Sequence, residues 1–298
     1  MTTGSLMDAV NPKAPLWDDV SACLQDEVRT VTALSNSSFS WNYAIECESN
    51  QYFLKLSADH DYTEAEADGL KALSAADSIR VPRLVACSRT QAFGFLIVEY
   101  LALNHSHPDF DRLGHDLARL HRLPADGSFG WHRKNYLGAT VQINLRRQSW
   151  AAFFRDMRLD CQFERACNNG FSTSVGALRD QVLDRVTAIL DSHKPEPSLL
   201  HGDLWRGNCG FIDGGVPVVF DPAVYVGDRE TDLAMTRLFG GFPESFYESY
   251  HREWPLPSGW AQRQVIYNLY HILNHLNLFG SGYLQQALSM CRQLLAED

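Results

Sequence analysis

The chain has 298 residues, 45% hydrophobic and 21% charged, which fits a folded protein of one large domain or two lobes and excludes a disordered one. Its net charge of −10 excludes a general nucleic-acid binder, which would need clustered Lys and Arg against phosphate. No stretch approaches the ~20 apolar residues of a membrane span, the start lacks the pattern of a secretory signal, and the seven cysteines show no CxxC spacing, so a reducing cytoplasm is the expected setting.

In chain order, "LWDDVSACLQDEV" (16 to 28) reads as a helix. Segments rich in β-branched and aromatic residues follow, "WNYAIEC", "QYFLKLS", "RLVAC" and "FGFLIVEYL", and predict strands. Between them "TEAEADGLKALSAA" (63 to 76) predicts a helix, with Thr63 and Glu66 in capping-box spacing. From Phe110 onward the pattern is helical, in "DRLGHDLARLHRL", "SWAAFFRDMRLDCQFERAC", "VGALRDQVLDRVTAILDSH", "QRQVIYNLYHILNHLNLF" and "YLQQALSMCRQLLAE". Only "CGFI" and "PVVFD", joined by Asp213, Gly214 and Gly215, interrupt it as a hairpin. The reading is a strand-rich first lobe over 1–101, a connector near Glu99 to Leu103, and a helical second lobe over 102–298.

Between the helix ending near His193 and the hairpin lies "HGDLWRGN" (201 to 208), a loop on rigid neighbours and so a natural place for working residues. With the hairpin it supplies Asp203, Asn208 and, at the end of "PVVFDPA", Asp221. Mg²⁺ takes oxygen ligands and commonly one or two carboxylates beside substrate phosphates. Asn208 and Asp221 suit that task, leaving Asp203 to accept a proton from an attacking hydroxyl, as in a kinase catalytic loop. Such a site also requires a strand lysine and a glutamate on the next helix. Lys55 alternates with Leu54 and Leu56 and faces away from both. Glu66 shares a helix face with Leu70 and Leu73 and points inward, whereas Glu64 shares one with Asp68 and Lys71 and faces water. A Glu66–Lys55 pair would orient the ammonium toward the phosphates of ATP.

"HGDLWRGN", then "VFDPAVYVGDRETDLAMTRLFGGF", resembles the fructosamine kinase (ketosamine-3-kinase) family, relatives of aminoglycoside and choline kinases. "FLK" (53 to 55), "EADGLKAL" (66 to 73), "LARLH" (117 to 121), "FGWHRKNYLG" (129 to 138), "QINL" (142 to 145) and "ILNHLNLFGSGY" extend the resemblance from about Leu34 to the C-terminus. It implies an α+β, bilobal protein kinase-like fold and ATP-dependent phosphorylation of a sugar hydroxyl on a small-molecule or protein-bound ketosamine. By position it makes Asp203 the proton acceptor and Asn208 and Asp221 the Mg²⁺ ligands. Lys55 and Glu66 become the phosphate-orienting pair, and the backbone of Glu99, Tyr100 and Leu101 the adenine hinge. Asp232 would bond the catalytic-loop backbone, and Asp228 and Glu230 are candidates to face the substrate amine. The family's phosphate loop usually carries paired glycines; here "LSNSSFSWNY" offers Ser37 and Ser38 as phosphate donors, which implies weaker or differently shaped ATP binding.

Trp205 either packs under the loop or walls the sugar site, and Trp131, His132 and Asn135 lie in a loop placed to cover the acceptor. His201 is expected to bond loop carbonyls. His271 and His275 have i, i+4 metal spacing but no HExxH glutamate and no third ligand, so packing is expected. No GxSxG or GxGxxG occurs, which removes a hydrolase elbow and a dinucleotide fingerprint. An aminoglycoside or other amino-alcohol kinase shares the catalytic loop, and a nucleotide-binding pseudokinase scaffold is the alternative suggested by the glycine-poor loop.

Overall fold

Alternation along the strands builds the first lobe. The structure, a computed structural model, describes residues 15–36, 39–104 and 106–296. Strands β1 (Val28–Asn36), β2 (Trp41–Cys47), β3 (Gln51–Ser57), β4 (Leu84–Arg89) and β5 (Gly94–Glu99) form one sheet in the order β1-β2-β3-β5-β4, antiparallel throughout. Leu54, Leu56, Phe95 and Ile97 turn to one face, where Trp17 and Val20 of helix α1 (Pro15–Leu24) close a small core. Leu96 and Val98 turn to the other face and pack with Leu70 and Leu73 of helix α2 (His60–Ala75).

The capping box expected at Thr63 and Glu66 does not form. Helix α2 begins one turn earlier, capped by Asp59, whose side chain accepts from the Asp61 amide at 3.0 Å. Thr63 is buried inside the helix and donates to the His60 carbonyl, because its apolar neighbours draw that turn into the core.

The second lobe carries α3 (Phe110–His121), a long interrupted helix, α6 (Arg179–Ser192), α7 (Glu230–Leu238), α8 (Glu244–Glu253), α9 (Trp260–Phe279) and α10 (Leu284–Ala296). The interrupted helix is read from sequence as one piece. It runs instead as α4 (Trp150–Phe154), a wide π turn over Arg155–Asp160, α5 (Cys161–Ala166) and a second π turn over Cys167–Phe171, ended by Gly170 at φ 91°. No described helix is long and apolar enough to cross a membrane.

The hairpin expected over 209–221 forms as β9 (Cys209–Ile212) and β10 (Val216–Val219), its second strand ending two residues before Asp221. It is not the sole interruption: β6 (Asn135–Leu137) pairs with β7 (Thr140–Gln142), and β8 (Pro197–Leu200) pairs antiparallel with β11 (Tyr225–Asp228). The loop 201–208 therefore runs from β8 to β9 and the segment 220–224 from β10 to β11, which brings both to the same side of two short ladders. The lobes share one core cluster, in which Leu96 and Val98 lie with Phe110, Leu204 and Phe211.

Candidate active site

The loop 201–208 is held from beneath by a buried carboxylate. Asp232, on the first turn of α7, accepts from the amides of His201 at 2.7 Å and Gly202 at 2.9 Å, and His121 of α3 bonds the same carboxylate at 3.2 Å. Burial pulls His201 below its ordinary value, and its bonds are those of a neutral ring: Nδ1 accepts the Asp203 amide, which leaves Nε2–H to donate to the Phe220 carbonyl. Gly202 has φ 83°, and a Cβ there would lie 2.1 Å from the Ala223 carbonyl oxygen, so only glycine lets the two loops touch.

Asp203, Asn208 and Asp221 converge on one cavity of about 260 Å³, which Lys55, Glu66, Tyr62, Asn135, Tyr136 and Trp205 also line. Asn208 Nδ2 donates to the Asp203 carbonyl at 2.8 Å and to Asp203 Oδ2 at 3.1 Å, which turns the carboxylate and leaves the carboxamide oxygen for another donor or a cation. Burial and the Asp221 charge push the Asp203 carboxyl up to about 7, against the pull of Asn208. Asp221 adopts φ 55° and lines the cleft between the lobes, with 47% of its side chain exposed to it.

Lys55 is 2% exposed, and its Nζ meets both oxygens of Glu66 at 2.7 Å and Asp221 Oδ1 at 2.6 Å. Burial alone would lower the lysine's pKa; the Asp221 and Glu66 carboxylates outweigh it and raise the pKa. The same bridge holds Asp221 below the ordinary carboxylate value although burial acts the other way, while burial dominates at Glu66 and raises it.

A second cavity of about 510 Å³ adjoins the first and shares Asn42, Glu66 and Asp221 with it. Its walls are the apolar Phe53, Leu70, Leu96, Val98 and Phe220, and Glu99, Tyr100 and Leu101 run along its edge. The Glu99 carboxylate faces away from a ligand role: it accepts from Arg80 at 2.6 Å and from the Arg83 amide at 2.7 Å, pinning the end of β5. Ser37 and Ser38 lie outside the described residues.

Three sequence expectations are corrected or sharpened. Asp228 and Glu230 do not face this cleft: Asp228 Oδ2 accepts from Tyr267 at 2.5 Å and His193 Nε2 at 2.8 Å, and Glu230 forms a two-pronged pair with Arg263, both bonds 2.7 Å. Both line a separate cavity of about 720 Å³. Trp131 does not line the cleft either; its Nε1 donates to Asp68 of α2 at 2.7 Å. Trp205 does, 37% exposed and edge-on to Phe239 at 6.2 Å. Sequence reasoning missed Tyr62 and Tyr136, whose rings meet at 5.2 Å beside Asp203. Tyr62 was legible in principle, four residues before Glu66 on the same face of α2. His271 and His275 pack as expected: burial pulls His271 down to about 3, and His275 Nδ1–H donates to the His271 carbonyl.

The model of the fructosamine kinase family matches residues 18–297. A protein of Synechocystis sp. named probable ketoamine kinase is 39% identical over 295 residues, covering 96% of this chain and 99% of its own. One of the same name from Vibrio parahaemolyticus is 40% identical over 284 residues, 91% and 96% of the two chains. Among solved structures, a provisionally named fructosamine-3-kinase of Thermobifida fusca superposes with a TM-score of 0.85 at 30% identity, covering 95% of this chain and 99% of its own. A spectinomycin phosphotransferase bound to ADP and spectinomycin superposes with a TM-score of 0.60 at 14% identity, over 93% of each chain, a likeness of fold alone.

Proposed function

We propose that this chain, which belongs to the fructosamine kinase family, transfers the γ-phosphoryl of ATP to a sugar hydroxyl of a ketosamine, either a small molecule or a protein-bound adduct. The observation that carries the reading is the convergence of the buried Lys55 and Glu66 with Asp221, half open to the cleft, in one bridge across a common cavity from Asp203 and Asn208.

In this reading adenine lies in the apolar cavity against the backbone of Glu99 to Leu101, and Lys55 turns its ammonium to the phosphates. Ser37 and Ser38 complete the phosphate contacts. The acceptor enters past Trp205, which walls the sugar, with Tyr62 and Tyr136 opposite. Asp203 orients the hydroxyl and takes its proton as the new P–O bond forms and the bond to the β-phosphate oxygen breaks, releasing ADP. Asn208 and Asp221 offer the oxygen donors that fit Mg²⁺, which when bound neutralises phosphate charge. The lobes meet at about 101/102. The seven cysteines are free, which supports a reducing compartment such as the cytoplasm.

An aminoglycoside or amino-alcohol acceptor rests on a fold likeness at 14% identity, whereas the ketoamine kinases match at about 40% over nearly the whole chain. A pseudokinase scaffold is disfavoured because Lys55, Asp203, Asn208 and Asp221 are all present and gathered in one cleft. Turnover decides between these. Asp203→Ala is expected to lower kcat for a ribulosamine or fructosamine by at least ~100-fold while nucleotide binding persists. Unchanged turnover would remove Asp203 from the mechanism, and nucleotide binding without turnover by the wild-type protein on any ketosamine would favour the scaffold.

A further inference from the structure

Helix α2 carries Glu66 on its inner face and a stripe of acid on its outer one. Asp61, Glu64 and Asp68, at i, i+3 and i+7, form that stripe, and Asp59 caps it. Against it lies the stretch "WHRKNY" of the second lobe, running antiparallel to the helix. Tyr136 donates to Asp59 at 2.8 Å, Lys134 meets Asp61 at 2.8 Å and Arg133 meets Glu64 at 3.8 Å. Trp131 Nε1 and His132 Nε2 take the two oxygens of Asp68, at 2.7 and 3.2 Å. The Lys134 contact holds the Asp61 carboxyl below its ordinary value.

The same stretch has a buried inner face. Asn135 Nδ2 donates to the Val224 carbonyl at 2.6 Å and Gln142 Nε2 to the Ala223 carbonyl at 3.3 Å, so the hairpin grips the backbone directly after Asp221. Gln142 and Asn144 both donate to Asn135 Oδ1, at 2.8 and 2.9 Å, which fixes the carboxamide. Helix α2 touches that backbone too: a Cβ on Gly69 would lie 3.2 Å from Pro222 and 3.3 Å from Val224.

We propose that the segment from Trp131 to Asn144 is an interlobe clamp, its outer face holding α2 and its inner face holding residues 223–224, so that one element positions both Glu66 and Asp221. The proposal rests on the reading of Lys55, Glu66 and Asp221 as phosphate and cation machinery. In protein kinases the lysine–glutamate pair and the metal-binding Asp must both be in place, and a separate loop is modified to achieve it. Here β11 begins at Tyr225 and α7 at Glu230, which leaves no length for such a loop, and the clamp supplies the order instead. Exposed ion pairs count for little singly. This set shares one helix stripe, opposes acid to base along its length, and is anchored at both ends by aromatic donors.

Charge exchange tests it. Arg133→Glu with Lys134→Glu sets acid against acid, and Asp61→Lys with Glu64→Lys sets base against base. Each pair is expected to raise the KM for ATP about fivefold or more and to speed amide exchange over residues 60–75 of the ligand-free protein by about tenfold. Combining all four restores opposite charges and is expected to return both readouts to within about twofold of wild type. Pair variants that keep the wild-type KM and exchange, or a combination no better than its parents, would overturn the clamp. If the wild-type protein phosphorylates no ketosamine, the activity reading fails, and the exchange readout still decides whether Trp131 to Asn144 holds α2.

Discussion

Asp203 sits near half ionisation at neutral pH, because burial and the Asp221 charge hold its proton on. A proton acceptor works only when ionised, so its raised pKa makes activity fall on the acid side. The expected profile of kcat/KM, which reports the free enzyme, rises with pH through about 7 and loses roughly tenfold per unit below it. A flat kcat/KM between pH 5.5 and 8 would contradict Asp203 as the base. Single-residue legibility followed periodicity. Lys55 and Glu66 could be paired from the strand period of 2 and the helix period of 3.6, and the ion pair is there at 2.7 Å. Asp228 and Glu230 were misplaced because they follow Asp221 closely in sequence, yet an extended chain moves away at ~3.3 Å per residue. By Asp228 the backbone has left the cleft along β11.

At the scale of elements, long periodic segments were legible and short ones were not. Strands β6, β7, β8 and β11, of three or four residues, are too brief for an alternation to register, and one of them, β8, leads directly into the catalytic loop. The π turn over Arg155–Asp160 was likewise invisible, since its sequence keeps a helical pattern. It buries Arg158 completely, with the guanidinium 4.1 Å from the Tyr225 ring centroid and 4.6 Å from that of Phe153. Among the described residues no carboxylate pairs with it; it donates instead to the carbonyls of Ile143 and Met157 and to Asn144 Oδ1. Arg158→Met would remove the donor from the Ile143 carbonyl and from Asn144 Oδ1, and Arg158→Lys cannot reproduce the flat fork between rings. Both are expected to lose about 2–3 kcal/mol in urea unfolding, and loss in the Met variant alone would show that charge, not planarity, is what the site requires.

For the whole molecule, pH acts on stability through opposing groups. His271 is pulled down to about 3 in the folded state by burial, below its ordinary 6.5. Between those values the unfolded chain binds a proton that the folded one refuses, so this group's contribution falls by about 1.4 kcal/mol per unit as pH drops from 6.5 toward 3. Asp203 works oppositely: its raised pKa lets the folded protein bind the proton first, so acid favours folding through it. His271→Gln removes the first effect alone. Relative to wild type it is expected to gain about 2 kcal/mol between pH 7 and pH 5, read by urea denaturation at both; an unchanged difference would mean the imidazole is not excluded from protonation. The transition should involve both lobes together, because the cluster holding Leu96 and Val98 also holds Phe110, Leu204 and Phe211.

The shared ammonium of Lys55 also bears on the choice of an inactive control. A lysine of this kind is the obvious residue to delete when a dead enzyme is wanted. Here its removal would leave the buried Glu66 without its cation and beside the half-exposed Asp221, and stranding a buried charge in this way commonly destabilises a protein by about 3–5 kcal/mol. A Lys55→Ala protein would then report a loosened molecule as much as a lost phosphate contact. Asp203→Asn keeps the shape of the side chain and leaves the Lys55 bridge untouched, which makes it the cleaner blank.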